Sequence, residues 1–183
     1  MRKVVAALFI SLDGVVEAPY LWQFDVFDDD MMAAMTKQLA AQDTVLLGRV
    51  TYEDWAPYWP TSTDEPFASY INSVPKYIVS TTLKTVDWSN STLVDGPIAD
   101  TLASLKQQPG QMIGVAGSPT LVHSLLQAGL LDELMLMIHP VIAGKGKHLF
   151  EDSDTLQKLK VVDSKTTRSG VLMVTYQPRR DAE

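Results

Sequence analysis

Short apolar runs and amphipathic helical stretches alternate along this chain, and that alternation restricts the fold more than any other feature. Residues 3–12 are apolar on both faces, the pattern of a central strand covered on two sides. An aromatic loop with Pro19, Tyr20, Trp22 and Phe24 follows. Asp28-Asp29-Asp30 then stands where a helix N-terminus favours negative charge, with Met31, Met35 and Leu39 at helical spacing as its buried stripe. Residues 44–47 read as a strand closed by Gly48, 50–56 and 67–72 as short helices, and 76–80 as a strand. A strand at 92–94 precedes a helix opened by Gly96-Pro97, with Ile98, Leu102 and Leu105 on one face, and 112–116 form the next buried strand.

Gly117-Ser118-Pro119 opens the best-marked helix. Ser118 is its expected N-cap, Leu121, Val122, Leu125 and Leu126 line one face, and Gly129 is placed to stop it. Residues 132–141 form a long strand, and two late strands near 159–163 and 171–177 close the chain. Strands alternating with helices predict an α/β fold with a parallel sheet covered on both faces. The last two strands have no helix between them, so at least one runs antiparallel. No linker or repeat interrupts residues 1–183, which are expected to form one domain.

Composition removes several functions. The absence of cysteine excludes a disulfide framework, a cysteine-held iron–sulfur cluster, a thiolate zinc site and cysteine catalysis. The net charge of −7, with no basic stripe, argues against a nucleic-acid partner. His123, His139 and His148 lack metal-ligand spacing, so no metal is expected. No apolar run approaches the ~20 residues that span a bilayer. Met1-Arg2-Lys3 imitates the start of a signal peptide, but the apolar run behind it ends at Ser11-Leu12-Asp13-Gly14 without a small-residue cleavage site. A buried first strand in a cytoplasmic protein is the expectation.

Three strand ends carry residues suited to phosphate. Gly48-Arg49-Val50-Thr51 gathers backbone N–H groups, a guanidinium and a hydroxyl, or else forms a tight turn with a surface arginine. Gly114-Val115-Ala116-Gly117-Ser118 runs from a strand into the strongest helix, where open α/β sheets bind their ligands; a plain helix cap is the alternative. Ser80-Thr81-Thr82 alone reads as a polar strand exit. Gly144-Lys145-Gly146-Lys147 lacks the spacing of the NTPase loop and reads as a lysine-bearing turn. Asp13, after the first strand, either faces a ligand or forms a turn with Gly14. Trp22, Phe24, Tyr52, Trp55, Tyr58 and Trp59 either fill the core or wall a pocket for a flat ligand.

Taken together, four stretches resemble the dihydrofolate reductase-like superfamily, and most closely the reductase domain of the bifunctional riboflavin-biosynthesis deaminase–reductase and its stand-alone relatives. They are Ser11-Leu12-Asp13-Gly14, the segment from Leu46 through Gly48-Arg49-Val50-Thr51 to Glu53, Lys76-Tyr77-Ile78-Val79-Ser80, and the run from Gly117-Ser118 through Asp132-Glu133-Leu134 to His139-Pro140-Val141. The resemblance implies a three-layer α/β/α fold with a mixed, mostly parallel sheet and an antiparallel C-terminal strand, found as a homodimer. It implies NADPH, with NADH possible, across the strand ends. Gly48, Arg49 and Thr51 would lie beside the adenosine and pyrophosphate portion, Ser80 and Thr81 near the adenosine ribose, and Gly117, Ser118, Thr120 and Leu121 against the pyrophosphate. Asp13 and the Trp22 loop would lie near the nicotinamide and substrate, with Tyr52 and Trp55 as further substrate contacts.

Thr81 stands where many relatives carry an arginine, and Ala116 where the riboflavin-pathway reductase has an acidic residue. The implied activity is an NAD(P)H-dependent reductase delivering hydride to a C=N or C=O bond of a small heterocycle, resembling 5-amino-6-(5-phosphoribosylamino)uracil reductase, with Asp13 supplying the proton directly or through a water. The alternatives are a true dihydrofolate reductase and a non-catalytic dinucleotide-binding module.

Overall fold

The computed structural model describes residues 1–150 and 156–179. In chain order they form β1 (Val4–Ser11), α1 (Asp29–Ala40), β2 (Gln42–Gly48), α2 (Arg49–Trp55), α3 (Phe67–Ser73), β3 (Lys76–Val79), β4 (Ser91–Leu93), α4 (Ile98–Gln107), β5 (Met112–Ala116), α5 (Pro119–Gln127), β6 (Glu133–His139), β7 (Leu159–Thr166) and β8 (Leu172–Pro178). One sheet runs β4-β3-β2-β5-β1-β6-β8-β7. The strands from β4 through β6 are parallel, and β8 is antiparallel to both of its neighbours. This is the mixed three-layer arrangement that the alternation implies, with the antiparallel pair where no helix intervenes.

Strand pleating divides the apolar residues between two helical layers. Val4, Ala6, Leu8 and Ile10 of β1 join Leu102 and Leu105 of α4 and Leu121, Val122, Leu125 and Leu126 of α5. On the other face, Val45, Leu47 and Ile78 pack with Tyr52 and Ile71 of α2 and α3, and Met31 of α1 meets Met137, Val171 and Met173. The expected stripe on α1 needs correction: only Met31 is fully buried, and Met35 and Leu39 are half-buried. The helix touches this cluster through its first turn, which Asp28 caps by accepting the Met31 N–H at 3.0 Å. Ser118 also departs from expectation. It occupies the cap position of α5 in a left-handed conformation (φ 52°), and its side chain caps nothing.

Lys76 is the one fully buried lysine of the core. Its ammonium donates to the carbonyls of Ile71 and Val74 at the end of α3, at 2.8 and 3.0 Å, and sits 4.7 Å from the Trp88 ring centroid. Those contacts occupy the last turn of α3, where a cation complements unpaired carbonyls.

Candidate functional site

Because β3, β2, β5, β1 and β6 run parallel in that order, their carboxyl ends share one edge of the sheet. Along it lie, in turn, Ser80-Thr81, Gly48-Arg49, Gly117-Ser118, Leu12-Asp13 and His139. Every strand-end residue singled out from the sequence therefore falls on this edge.

The middle of the edge is interlocked. A Cβ on Gly48 would collide with the hydroxyl of Ser118 and come within 2.8 Å of its Cβ. A Cβ on Gly117 would stand 2.9 Å from the Thr51 methyl and 3.0 Å from its hydroxyl oxygen, and Gly117 has φ +59°. Two glycines are thus required here, one for close approach and one for both approach and a left-handed turn. Two successive left-handed residues, Gly117 and Ser118, swing the chain into α5. The first helical bond is that of Val122 N–H to the Ser118 carbonyl, at 3.1 Å, so the N–H groups of Thr120 and Leu121 precede the ladder and face the edge. The Leu121 side chain belongs to the core, leaving only its backbone for a ligand.

Lys147, which the sequence places in a lysine-bearing turn, reaches the edge. Its ammonium donates to the Thr120 hydroxyl at 2.6 Å, placing a cation at the first turn of α5. The strap that carries it folds against the loop after β1: Val16 N–H reaches the Lys147 carbonyl, Leu149 N–H reaches Gly14, and Lys147 N–H donates to Glu17 at 2.8 Å. Only this tertiary pairing brings Lys147 to the edge. Arg49 is surface-exposed and paired with Glu53 at 2.7 Å, one turn along α2. Such a pair contributes at most about 1 kcal/mol, so the guanidinium is cheaply released to another anion. At the far end, Ser80 accepts the N–H groups of Thr82 and Leu83, at 3.1 and 3.0 Å, and Thr81 is exposed.

Asp13 lies on the edge, but its contacts are those of a fastener. It accepts hydrogen bonds from the Ser11 hydroxyl at 2.6 Å and from the N–H groups of Ala143 and Gly144 at 3.0 and 2.8 Å. These donors, Ser11 first, pull its pKa down to about 2. A carboxyl ionised at every pH near neutrality has no proton to give, so the expectation of Asp13 as the acid does not fit its surroundings.

The aromatic residues divide into two groups. The Trp22 and His139 rings meet nearly at right angles, with centroids 5.2 Å apart, at the β1–β6 end. Tyr52 is buried between α2 and β3, where its hydroxyl accepts the N–H of Asp87 at 2.8 Å, and Trp55 lies between Trp59 and Phe67. β5 and β1 separate the two groups, and β2 lies three strand spacings, about 14 Å, from β6. The two groups thus stand beside different parts of the strand-end edge.

The acidic cluster at α1 is similarly committed. Asp28 caps the helix and accepts the Ser169 N–H at 2.8 Å, and Asp30 pairs with Lys165 and Arg168. Met31 is the residue that α1 buries against the sheet. Asp28 and Asp30 are thus occupied by contacts within the protein. A surface depression of about 830 Å³ lies at the opposite edge between Arg2 and Gln111. There Arg2 is held by Asp43, Thr44 and the Gln111 carbonyl, so its charge already has partners and the depression is a poor anion site. Among the described residues no group of three or more His, Asp or Glu gathers to hold a metal, and no helix is long and apolar enough to cross a membrane.

The profile of the RibD C-terminal domain family matches residues 2–173. The Bacillus subtilis protein YyaP is 32% identical over 181 residues, covering 96% of this chain and 94% of its own. YwjB of the same organism is 29% identical over 169 residues, 90% of this chain and 91% of its own. Among solved structures, a putative riboflavin biosynthesis protein from Shewanella sp. PV-4 matches with a TM-score of 0.80 at 20% identity, covering 97% of this chain and 99% of that one. The diaminohydroxyphosphoribosylaminopyrimidine deaminase/5-amino-6-(5-phosphoribosylamino)uracil reductase of Thermotoga maritima matches with a TM-score of 0.69 at 16% identity. There 97% of this chain corresponds to 57% of the larger protein.

Proposed function

The chain belongs to the RibD C-terminal domain family, and from that premise we propose that it is a cytoplasmic NADPH-dependent reductase of a small, planar, polar heterocycle. The observation that carries this reading is the interlock of Gly48 with Ser118 and Thr51 with Gly117, which joins two glycine-bearing strand ends beside the first turn of α5. A pyrophosphate at this point would meet the N–H groups of Thr120 and Leu121, the Ser118 hydroxyl, and the charges of Lys147 and, once freed from Glu53, Arg49. The donor set fits an anion. The adenosine end would extend toward Ser80 and Thr81, and the nicotinamide end toward Leu12-Asp13 and the Trp22 loop. Bound there, NADPH supplies hydride for a C=N or C=O bond.

The protein's own contribution is positional. Asp13 holds residues 143–144 against the loop after β1, and so fixes the strap that delivers Lys147. Solvent water supplies the proton, since Asp13 is an anion. Support for a pyrimidine substrate comes from the Thermotoga maritima likeness, and 5-amino-6-(5-phosphoribosylamino)uracil is the compound to try first. Loss of NADPH absorbance on its addition, above the rate without it, supports this reading. Saturable NADPH binding without turnover of this compound or dihydrofolate would favour the dinucleotide-binding module.

A further inference from the structure

The imidazole of His139 is fully enclosed at the carboxyl end of β6, yet only one of its nitrogens is engaged. Nδ1 donates to the Met137 carbonyl at 2.9 Å, which makes Nε2 the nitrogen with the lone pair in the neutral ring. Among the described residues Nε2 has no hydrogen-bond partner. Around the ring stand Trp22, Phe9 with its centroid 5.7 Å away, and the carbonyls of Met137 and Ile10. The Ile10 carbonyl is itself an acceptor and cannot satisfy a lone pair. Burial, the largest influence on this group, lowers its pKa and keeps it neutral. A buried acceptor without a donor is costly and calls for an explanation.

Trp22, which lies against His139, belongs to the segment 18–25. Its backbone hydrogen bonds are local, from Leu21 to Ala18, from Trp22 and Gln23 to Pro19, and from Val26 to Gln23. It starts at Ala18 in a left-handed conformation (φ 46°), and beyond it the Val26 carbonyl accepts the Ser169 hydroxyl at 2.6 Å. Between these points the Trp22 ring on His139 is its ring contact with the sheet. Gln23, next to Trp22, carries a second buried oxygen without a partner. The register partner of His139 is Ser11, immediately before Leu12-Asp13, so the orphaned nitrogen adjoins the end of the edge assigned to the nicotinamide.

We propose that His139 Nε2 is a substrate-recognition point, accepting a hydrogen bond from a ring N–H of a planar heterocycle that displaces the Trp22 ring. The inference rests on the reductase reading above and adds the residue that orients the substrate. Its chemistry selects heterocycles with an N–H edge over those with only acceptors or N-alkyl groups there, because an unmatched lone pair remains unpaired after binding. His139 acts here as a neutral acceptor and transfers no proton.

The test uses 15N-labelled full-length protein, titrated first with NADPH and then with 5,6-diaminouracil or its 1,3-dimethyl derivative. The expected result is movement of the His139 Nε2 resonance with 5,6-diaminouracil, and affinity at least about tenfold weaker for the dimethyl compound. His139→Phe should weaken 5,6-diaminouracil binding by about tenfold or more, and His139→Gln, whose amide oxygen reaches the Nε2 position, should recover most of it. NADPH affinity should stay within about twofold in both variants, which also reports that they fold. An unmoved Nε2 resonance, equal affinity for the two uracils, or no 5,6-diaminouracil binding at millimolar concentration overturns the proposal. Failure of NADPH itself to bind contradicts the reductase reading, a separate outcome read in the first titration.

Discussion

At Asp13, three donors hold a carboxylate well below its ordinary range, and the consequence is visible in stability rather than in catalysis. The folded pKa, about 2, lies below the unfolded value of about 3.9. The stabilisation is therefore present above about pH 4 and is lost as pH falls toward 2. Urea midpoints measured from pH 6 to 2.5 should fall more steeply for the wild type than for Asp13→Asn; parallel curves would mean the carboxylate does not fasten the strap. Arg49 raises a different question, that of cofactor choice. A 2′-phosphate is answered best by arginine, and Thr81 offers no charge. The wild type should show a modest NADPH preference. Thr81→Arg should tighten NADPH by roughly ten- to a hundredfold and leave NADH nearly unchanged, and Arg49→Ala should erase most of the preference. Glu53→Gln, which frees the guanidinium, should strengthen NADPH binding several-fold. Paired dissociation constants for both cofactors decide this; a strong preference surviving Arg49→Ala would hand the phosphate to another cation, with Lys147 the first candidate. Asp13 and Arg49 were findable as strand-end residues, but their partners lie in contacts that spacing does not encode.

Among the elements, α5 was the most legible and its entry the least. Proline in the first turn, four core-facing aliphatic residues and Gly129 marked the helix, and the structure has it at Pro119–Gln127. Ser118 looked like an ordinary cap because serine prefers that position, but preference does not reveal a left-handed backbone. That conformation costs a non-glycine residue about 1–2 kcal/mol, and the hydroxyl is what it retains. Ser118→Gly should raise stability by about 1 kcal/mol in urea unfolding and weaken NADPH severalfold. Unchanged NADPH affinity would show that the hydroxyl serves packing against Gly48 alone. Gly117→Val is a poor probe of cofactor approach, since a β-branched side chain meets both the positive φ and the Thr51 methyl. The surroundings of Lys147 and His139 are not legible in the sequence for a related reason: each acquires its neighbour through a loop packed across the edge, Thr120 for one and Trp22 for the other.

For the whole molecule, alternation of strands and helices was sufficient for the three layers and the antiparallel end, but not for the strand order. Insertion of β5 between β2 and β1 is what brings residues 48–51 against 117–118, and nothing in periodicity dictates it. The homodimer that the resemblance implies would need an exposed apolar face. The apolar stretches near 135–138 and 171–174 lie inside the sheet, with Met137, Val171 and Met173 buried against Met31. At this end the edge strand is β7, where Val161 is 52% exposed, and Leu172 on the neighbouring β8 is 44% exposed. We propose this face as the homodimer contact: light scattering at tens of micromolar should give twice the chain mass, and Val161→Glu with Leu172→Glu should give the monomer. A wild-type monomer would contradict it. Lys160, Asp163 and Lys165 on the same strand guard against open-ended pairing.

The central claim is that one dinucleotide lies across the carboxyl edge of the parallel strands, and amide chemical shifts during an NADPH titration test it most directly. Saturable changes concentrated at residues 12–14, 48–51, 80–82, 117–121 and 147 are the predicted result. No saturable change at millimolar NADPH, or changes centred on the depression between Arg2 and Gln111 at the opposite edge, would contradict it.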